Sequence, residues 1–188
     1  MRDLDVMASL RPSGDLGEYT PADLASLPED IIRVELVDGS LVITRPPGTA
    51  HQGVLLEVAC TLRNACPEGL QVLPAPVRFQ PTQGLSLLPD VLVCRREDVG
   101  PLHIEQPLLL AVAIYWQMTR DLDVGIRRAL YELSGVQSYW MFDMEHTTLT
   151  VLELADGKYV ERAFVRGDEV FETEIPFPVK VVPAELIR

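Results

Sequence analysis

The run Leu108 to Tyr115, LLLAVAIY, contains no charged side chain and stays apolar at consecutive positions, not only at alternate ones. Such a run has no side to offer to water, so it predicts a strand covered on both faces at the centre of a sheet. The rest of the chain must then supply two covering layers. After it, Val124, Ile126, Ala129, Leu130 and Leu133 recur at helical spacing. They predict an amphipathic helix that starts at Asp121 or Asp123, buries that apolar face and ends at Gly135. SYWMFD, residues 138–143, then reads as a second central strand. Strand, helix and strand in this order predict an α/β fold with a mixed central sheet.

The flanking segments fill out that plan. Thr20-Pro21-Ala22-Asp23 offers a capping hydroxyl, a proline suited to the first turn and an acid near the positive end of the dipole, so a short helix is expected there. In IIRVELVDGSLVITRPP, Asp38-Gly39 lies between two β-branched runs and predicts a hairpin carrying Glu35 on its first strand. From Thr49 to Asn64 the residues Val54, Leu55, Val58, Ala59 and Leu62 mark a core-facing helix closed by Pro67 and Gly69. Val72 to Phe79, interrupted by Pro74 and Pro76, suits a strand near a sheet edge. Leu85 to Cys94 reads as an apolar strand with Asp90 inside it. From His146 onward, alternating segments broken at Asp156-Gly157 and Gly167-Asp168 predict a C-terminal antiparallel extension.

Composition narrows the function. A length of 188 residues suits one domain, read here as 18–188 behind a flexible arm over 1–17. Sixteen basic against 28 acidic side chains give a formal net charge of −12, which repels a polyanion at long range and leaves room only for a local basic cleft. The three cysteines, Cys60, Cys66 and Cys94, sit in apolar patterns without zinc-site spacing and read as buried thiols of a reducing compartment. No apolar run approaches the roughly 18 residues that a membrane helix needs, and the N-terminus lacks a signal-peptide core. A soluble, cytoplasmic protein is the expectation. No Gly-rich phosphate loop, nucleophile elbow or Cys/His cluster is present.

Pro89-Asp90 heading one apolar run, with VAIYWQMT closing the next, gives an order of elements that resembles the restriction endonucleases of the PD-(D/E)XK nuclease superfamily over residues 30–145. The resemblance implies a restriction-endonuclease-like sheet flanked by helices and a Mg²⁺-dependent endodeoxyribonuclease, with Mn²⁺ as substitute. It matches Asp90 to the aspartate of the PD motif and Ala113 to a glutamate that the family carries in a context like VEVLSPST. Arg127 matches a lysine displaced to the helix, and Asp123 an acid one turn earlier. Glu35 in VELVDG and His51 in TAHQG match further positions near the same site. The metal ligands so implied are Asp90 and Glu35.

Two departures weaken the implied chemistry. Alanine removes a first-shell oxygen, and a guanidinium cannot deprotonate water because its pKa stays above about 12. The expectation is a degenerate nuclease with weak Mg²⁺ binding, weak DNA binding and little or no cleavage. The alternative is a non-catalytic nuclease fold that binds a protein partner or nucleic acid, with a homodimer left open. Each residue also has a plainer role open to it. Asp90 suits a strand-end turn, Glu35 a solvated strand face, His51 a hydrogen bond to backbone near a helix start, and Arg127 with Arg128 a solvated helix face. If Arg127 points inward, it pairs with phosphate or carboxylate. Tyr115-Trp116-Gln117-Met118, in place of a small Ser-Pro loop, suits either packing under a neighbouring loop or a contact patch.

Overall fold

The computed structural model describes residues 19–24, 33–44, 46–116 and 121–187. The expected arm over 1–17, and Gln117 with Met118, lie outside these residues. The short helix α1 (Pro21–Leu24) forms where the capping signal places it, with the Thr20 amide and hydroxyl both donating to the Asp23 carboxylate at 2.7 Å. Strands β1 (Val34–Val37) and β2 (Ser40–Ile43) make the expected hairpin. Asp38 and Gly39 both take positive φ, 48° and 72°, the backbone twist that a two-residue hairpin turn demands.

Helix α2 (Thr49–Ala65) buries Val54, Leu55, Val58 and Leu62. It is followed by β3 (Leu70–Pro74), β4 (Arg78–Thr82), β5 (Leu85–Leu87), β6 (Val91–Arg95), β7 (His103–Ile104) and β8 (Leu110–Tyr115). A π-helical turn, Leu122–Arg127, runs into α3 (Arg128–Leu133) and leads to β9 (Ser138–Asp143). The chain closes with the hairpin β10 (Thr148–Ala155) and β11 (Lys158–Arg166), and then with β12 (Phe171–Thr173) and β13 (Val179–Val181).

The main sheet has six strands in the order β11-β10-β9-β8-β6-β3, and only β8 and β9 run parallel. A parallel pair needs a crossover, which the helical stretch 122–133 supplies. All six positions of β8 are buried, as its uncharged sequence requires. Leu110, Val112 and Ile114 join the core formed with α2 and the β12–β13 hairpin, whereas Ala111, Ala113 and Tyr115 join a second core with Phe79, Tyr131 and Tyr139. A second, five-stranded sheet has the order β2-β1-β5-β4-β7. Among the described residues no helix is long and apolar enough to cross a membrane.

Three expectations are corrected. Leu85 to Cys94 is not one strand: β5 belongs to the five-stranded sheet and β6 to the six-stranded one, and Leu88-Pro89-Asp90 is the buried crossover between them. Continuous burial made the break invisible in the hydropathy pattern. The helix after β8 does not bury its apolar face, since Ile126 is 44% and Leu133 80% exposed while Leu122, Asp123, Arg127 and Tyr131 are inside. Mutual neutralisation of Asp123 and Arg127 makes that choice of face affordable. Cys60 is exposed, because it lies off the apolar stripe of α2; only Cys94 is fully buried.

The outer edge of the main sheet is β11, which is mostly exposed. Its pairing with β10 slips between Val151 and Leu152, where Ala163 and Glu161 are the successive partners and Arg162 is left over as a bulge.

Candidate functional site

The site is built where the two sheets meet. On β1, Val34 and Leu36 pack into a small apolar cluster with Leu41. Strand alternation sends Arg33 and Glu35 to the opposite side. Glu35 is 1% exposed, so the solvated-face role is excluded. Its Oε1 accepts from the Leu88 amide at 2.8 Å, and Arg33 donates to Leu88 O at 3.1 Å and to Asp90 Oδ1 at 2.8 Å. The crossover is therefore gripped by side chains of the neighbouring sheet.

Asp90 is tied from the other direction as well. Its amide donates to Val112 O at 2.9 Å, its carbonyl accepts from Ala75, and its Oδ2 accepts from the Ile114 amide at 2.7 Å. One residue before the Val91–Val112 pair, it sits across from Ala113. His51, in the first turn of α2, places Nε2 3.0 Å from Ile114 O and 3.5 Å from Asp90 Oδ1. The backbone contact anticipated for His51 is thus present, and the same nitrogen borders the carboxylate. His51 Nδ1 is buried without a partner among the described residues.

Arg127 points inward. Its Nε donates to Glu35 Oε2 at 3.0 Å, its Nη2 makes a short contact with the same oxygen, and its Nη1 donates to Asp123 Oδ1 at 2.5 Å. The Asp123 carbonyl accepts from the Tyr139 hydroxyl at 3.1 Å, which pins the start of the helical turn to β9. Arg128 is exposed, as a solvated helix charge would be. Tyr131, one turn beyond Arg127, is fully buried and its hydroxyl has no partner among the described residues.

The structure brings Glu35, Asp90, His51, Asp123 and Arg127 together, but Glu35 comes from the five-stranded sheet, whereas Ala113 lies on β8 of the other. Arg33 was missed by the sequence reading. The available signal was its position two residues before Glu35, on the same side of a strand with opposite charge. Tyr115 packs inward while Trp116 is 47% exposed, and the rest of that stretch lies outside the described residues.

Electrostatics follow from burial and pairing. Burial alone would raise the Asp90 carboxyl, but the Arg33 guanidinium, His51 and the Ile114 amide hold it down at about 2. Burial pushes Asp123 up, with Arg127 opposing and Asp90 and Glu35 adding to the rise. Burial disfavours the Arg127 cation, yet Glu35 and Asp123 outweigh it and raise its pKa well above the ordinary value.

A lowered carboxyl pKa contributes stability that is present above the unfolded value and lost as pH falls through the folded one. For Asp90 the window runs from its ordinary 3.8 down to about 2. The contribution is about 2 kcal/mol. Unfolding free energies from urea titrations should fall across that window in the wild type, and the Asp90→Asn variant should lack that part of the decline. An unchanged acid profile in the variant would contradict the pairing.

Mg²⁺ and Mn²⁺ seek oxygen ligands, Mg²⁺ in near-octahedral geometry at about 2.0–2.1 Å. Here both Glu35 oxygens, Asp123 Oδ1 and both Asp90 oxygens accept from guanidinium or amide N–H groups. As placed, these carboxylates do not fit a divalent cation. Among the described residues, no group of three His, Cys, Asp or Glu side chains is arranged to hold a metal. An open groove of about 980 Å³ runs from the carboxyl ends of β8 and β9 over β10 and β11, lined in part by Tyr115, Arg128, Asp143, His146, Glu161 and Arg166; none of the five clustered residues lines it.

A family model described as "Uma2: Putative restriction endonuclease" matches residues 21–184. No curated protein matches the chain. A solved structure described as a "putative nuclease belonging to DUF820 from Anabaena variabilis ATCC 29413" superposes with a TM-score of 0.71 at 14% identity, covering 90% of this chain and 97% of that one. At that identity the likeness speaks for the fold alone, a mixed α/β arrangement.

Proposed function

Because this chain belongs to the Uma2 restriction endonuclease family, we propose that it is a nuclease-fold protein whose own site cleaves phosphodiester bonds little or not at all. One observation carries the reading: the Arg127 guanidinium takes up the carboxylates of Glu35 and Asp123. It is supported by Ala113 at the β8 position that the resemblance assigns to a metal-binding acid. Members of such families usually use divalent metal, which polarises a phosphate and lowers the pKa of an attacking water. Among the described residues, the carboxylates of Glu35, Asp90 and Asp123 are all engaged by N–H donors, and no lysine stands with them. Arg127 keeps its proton at any working pH, and Asp90, held low by Arg33, is a weak proton acceptor.

A second reading, a nuclease fold kept for binding, is favoured by the open groove. One end of it, at Tyr115 and Asp143, meets the carboxyl ends of the parallel pair β8 and β9, the place where open α/β sheets receive ligands. Its lining sets Arg128 and Arg166 against Asp121, Asp143 and Glu161, and the chain carries a net charge of −12, so attraction for DNA there is weak and screened by salt.

Incubation of supercoiled plasmid with the wild type and with Asp90→Ala, in Mg²⁺ or Mn²⁺, tests the first reading. The expected result is equal, background-level nicking by both. Nicking by the wild type that Asp90→Ala abolishes would overturn it.

A further inference from the structure

We infer that the Arg127 guanidinium stands in for a divalent cation, so that the carboxylate cluster assembles without metal, and that removing it turns Glu35 and Asp123 into a site for Mn²⁺ or Mg²⁺. This extends the reading above but can fail separately from it.

The geometry is that of a bridging cation. Three of the guanidinium nitrogens engage acids from two different parts of the fold, Glu35 on β1 and Asp123 on the helical turn. The Arg127 side chain is 5% exposed, so no bulk water solvates those acids in its place. Left alone, two carboxylates so buried would each lack the hydration that a charge requires, so near neutrality they must take up either protons or a cation.

The pairing of charges points the same way. Asp90 is matched by Arg33, and among the described residues Arg127 is the side chain that pairs directly with both Glu35 and Asp123, while Arg78 adds favourable charge near Glu35. Burial raises the Asp123 carboxyl above an ordinary aspartate even with Arg127 opposing it, so the guanidinium does not fully offset what burial costs this acid. A divalent cation would neutralise both acids in full. Mg²⁺ in particular needs only one or two carboxylates, completing its shell with water. The pair is therefore sufficient in ligand number, and what stands in the way is the guanidinium itself.

Thermal melts in excess EDTA and in millimolar MnCl₂ or MgCl₂ test the inference on the wild type, on Arg127→Met and on Glu35→Gln/Arg127→Met. The wild type should melt at the same temperature in all three buffers. Arg127→Met should melt lower in EDTA and rise by about 5 °C or more with Mn²⁺. Adding Glu35→Gln should remove that rise, which separates a site from general screening of an acidic surface. Metal stabilisation of the wild type equal to that of the variant would overturn the inference. So would the absence of rescue in Arg127→Met, whether the folded variant ignores the metal or stays unfolded in its presence. Plasmid nicking plays no part in this readout, so metal binding without cleavage, or the reverse, distinguishes the two proposals.

Discussion

Replacing Arg127 by methionine is expected to destabilise the metal-free protein by about 3–5 kcal/mol, because it strands two buried carboxylates without a cation. For a domain of this size that corresponds to a fall in melting temperature of roughly 10 °C. The loss should depend on pH in a definite direction. Without the guanidinium that opposes it, the folded-state pKa of Asp123 rises further, and a raised carboxyl pKa gives stability at low pH that is lost as pH climbs through it. The deficit relative to wild type should therefore be greatest near neutrality and shrink on acidification. A triple variant, Glu35→Leu/Asp123→Leu/Arg127→Met, should recover much of the loss, since apolar groups of similar volume replace a buried ion cluster at little net cost. Chemical denaturation of the three proteins at two pH values checks this. A single variant as stable as wild type at neutral pH would mean that the Arg127 contacts contribute nothing.

The second large effect concerns repair of the site. Ala113→Glu alone should yield no cleavage, because a new carboxylate in this cluster meets the fixed guanidinium of Arg127. Ala113→Glu/Arg127→Lys should nick plasmid in Mn²⁺ or Mg²⁺ about 100-fold or more above the parent, since a compact ammonium replaces the planar fork and a third oxygen becomes available to a metal. Asp90→Ala in that background should abolish the gain. Ala113 is 4% exposed in the core containing Tyr131 and Tyr139, so the glutamate adds bulk and charge to a filled space. About 1–3 kcal/mol of stability should be lost without metal. A folded double variant that does not nick DNA would show that Ala113 is not an eroded ligand position.

The parts of the fold legible in the sequence were those where one rule acts alone. Leu110 to Tyr115 has no charged residue and is buried throughout; Asp38-Gly39 supplies the positive φ its hairpin needs; α2 hides the stripe its spacing marks. The site was harder because its interior is charged. Periodicity treats Asp123 and Arg127 as surface residues, and it turned their helix the wrong way round, since it has no means of recording that two opposite charges four residues apart can bury each other. Resemblance to a family pointed to both positions where hydropathy did not. Arg33 escaped both, although its alternation with Glu35 was available. The crossover at Pro89 was hidden for another reason: the chain changes sheets without leaving the interior, so no polar break marks it.

The bulge at Arg162 bears on how copies of this protein meet. A long outer strand is a template for a neighbour's backbone unless something spoils the match. Two-fold pairing of β11 with a second β11 about Arg162 would set that arginine against its twin and Lys158 against Arg166 at both ends. The bulge adds a local kink to that mismatch. In that register, sheet continuation between copies is disfavoured, and the kink at Arg162 disturbs the match on either side of it.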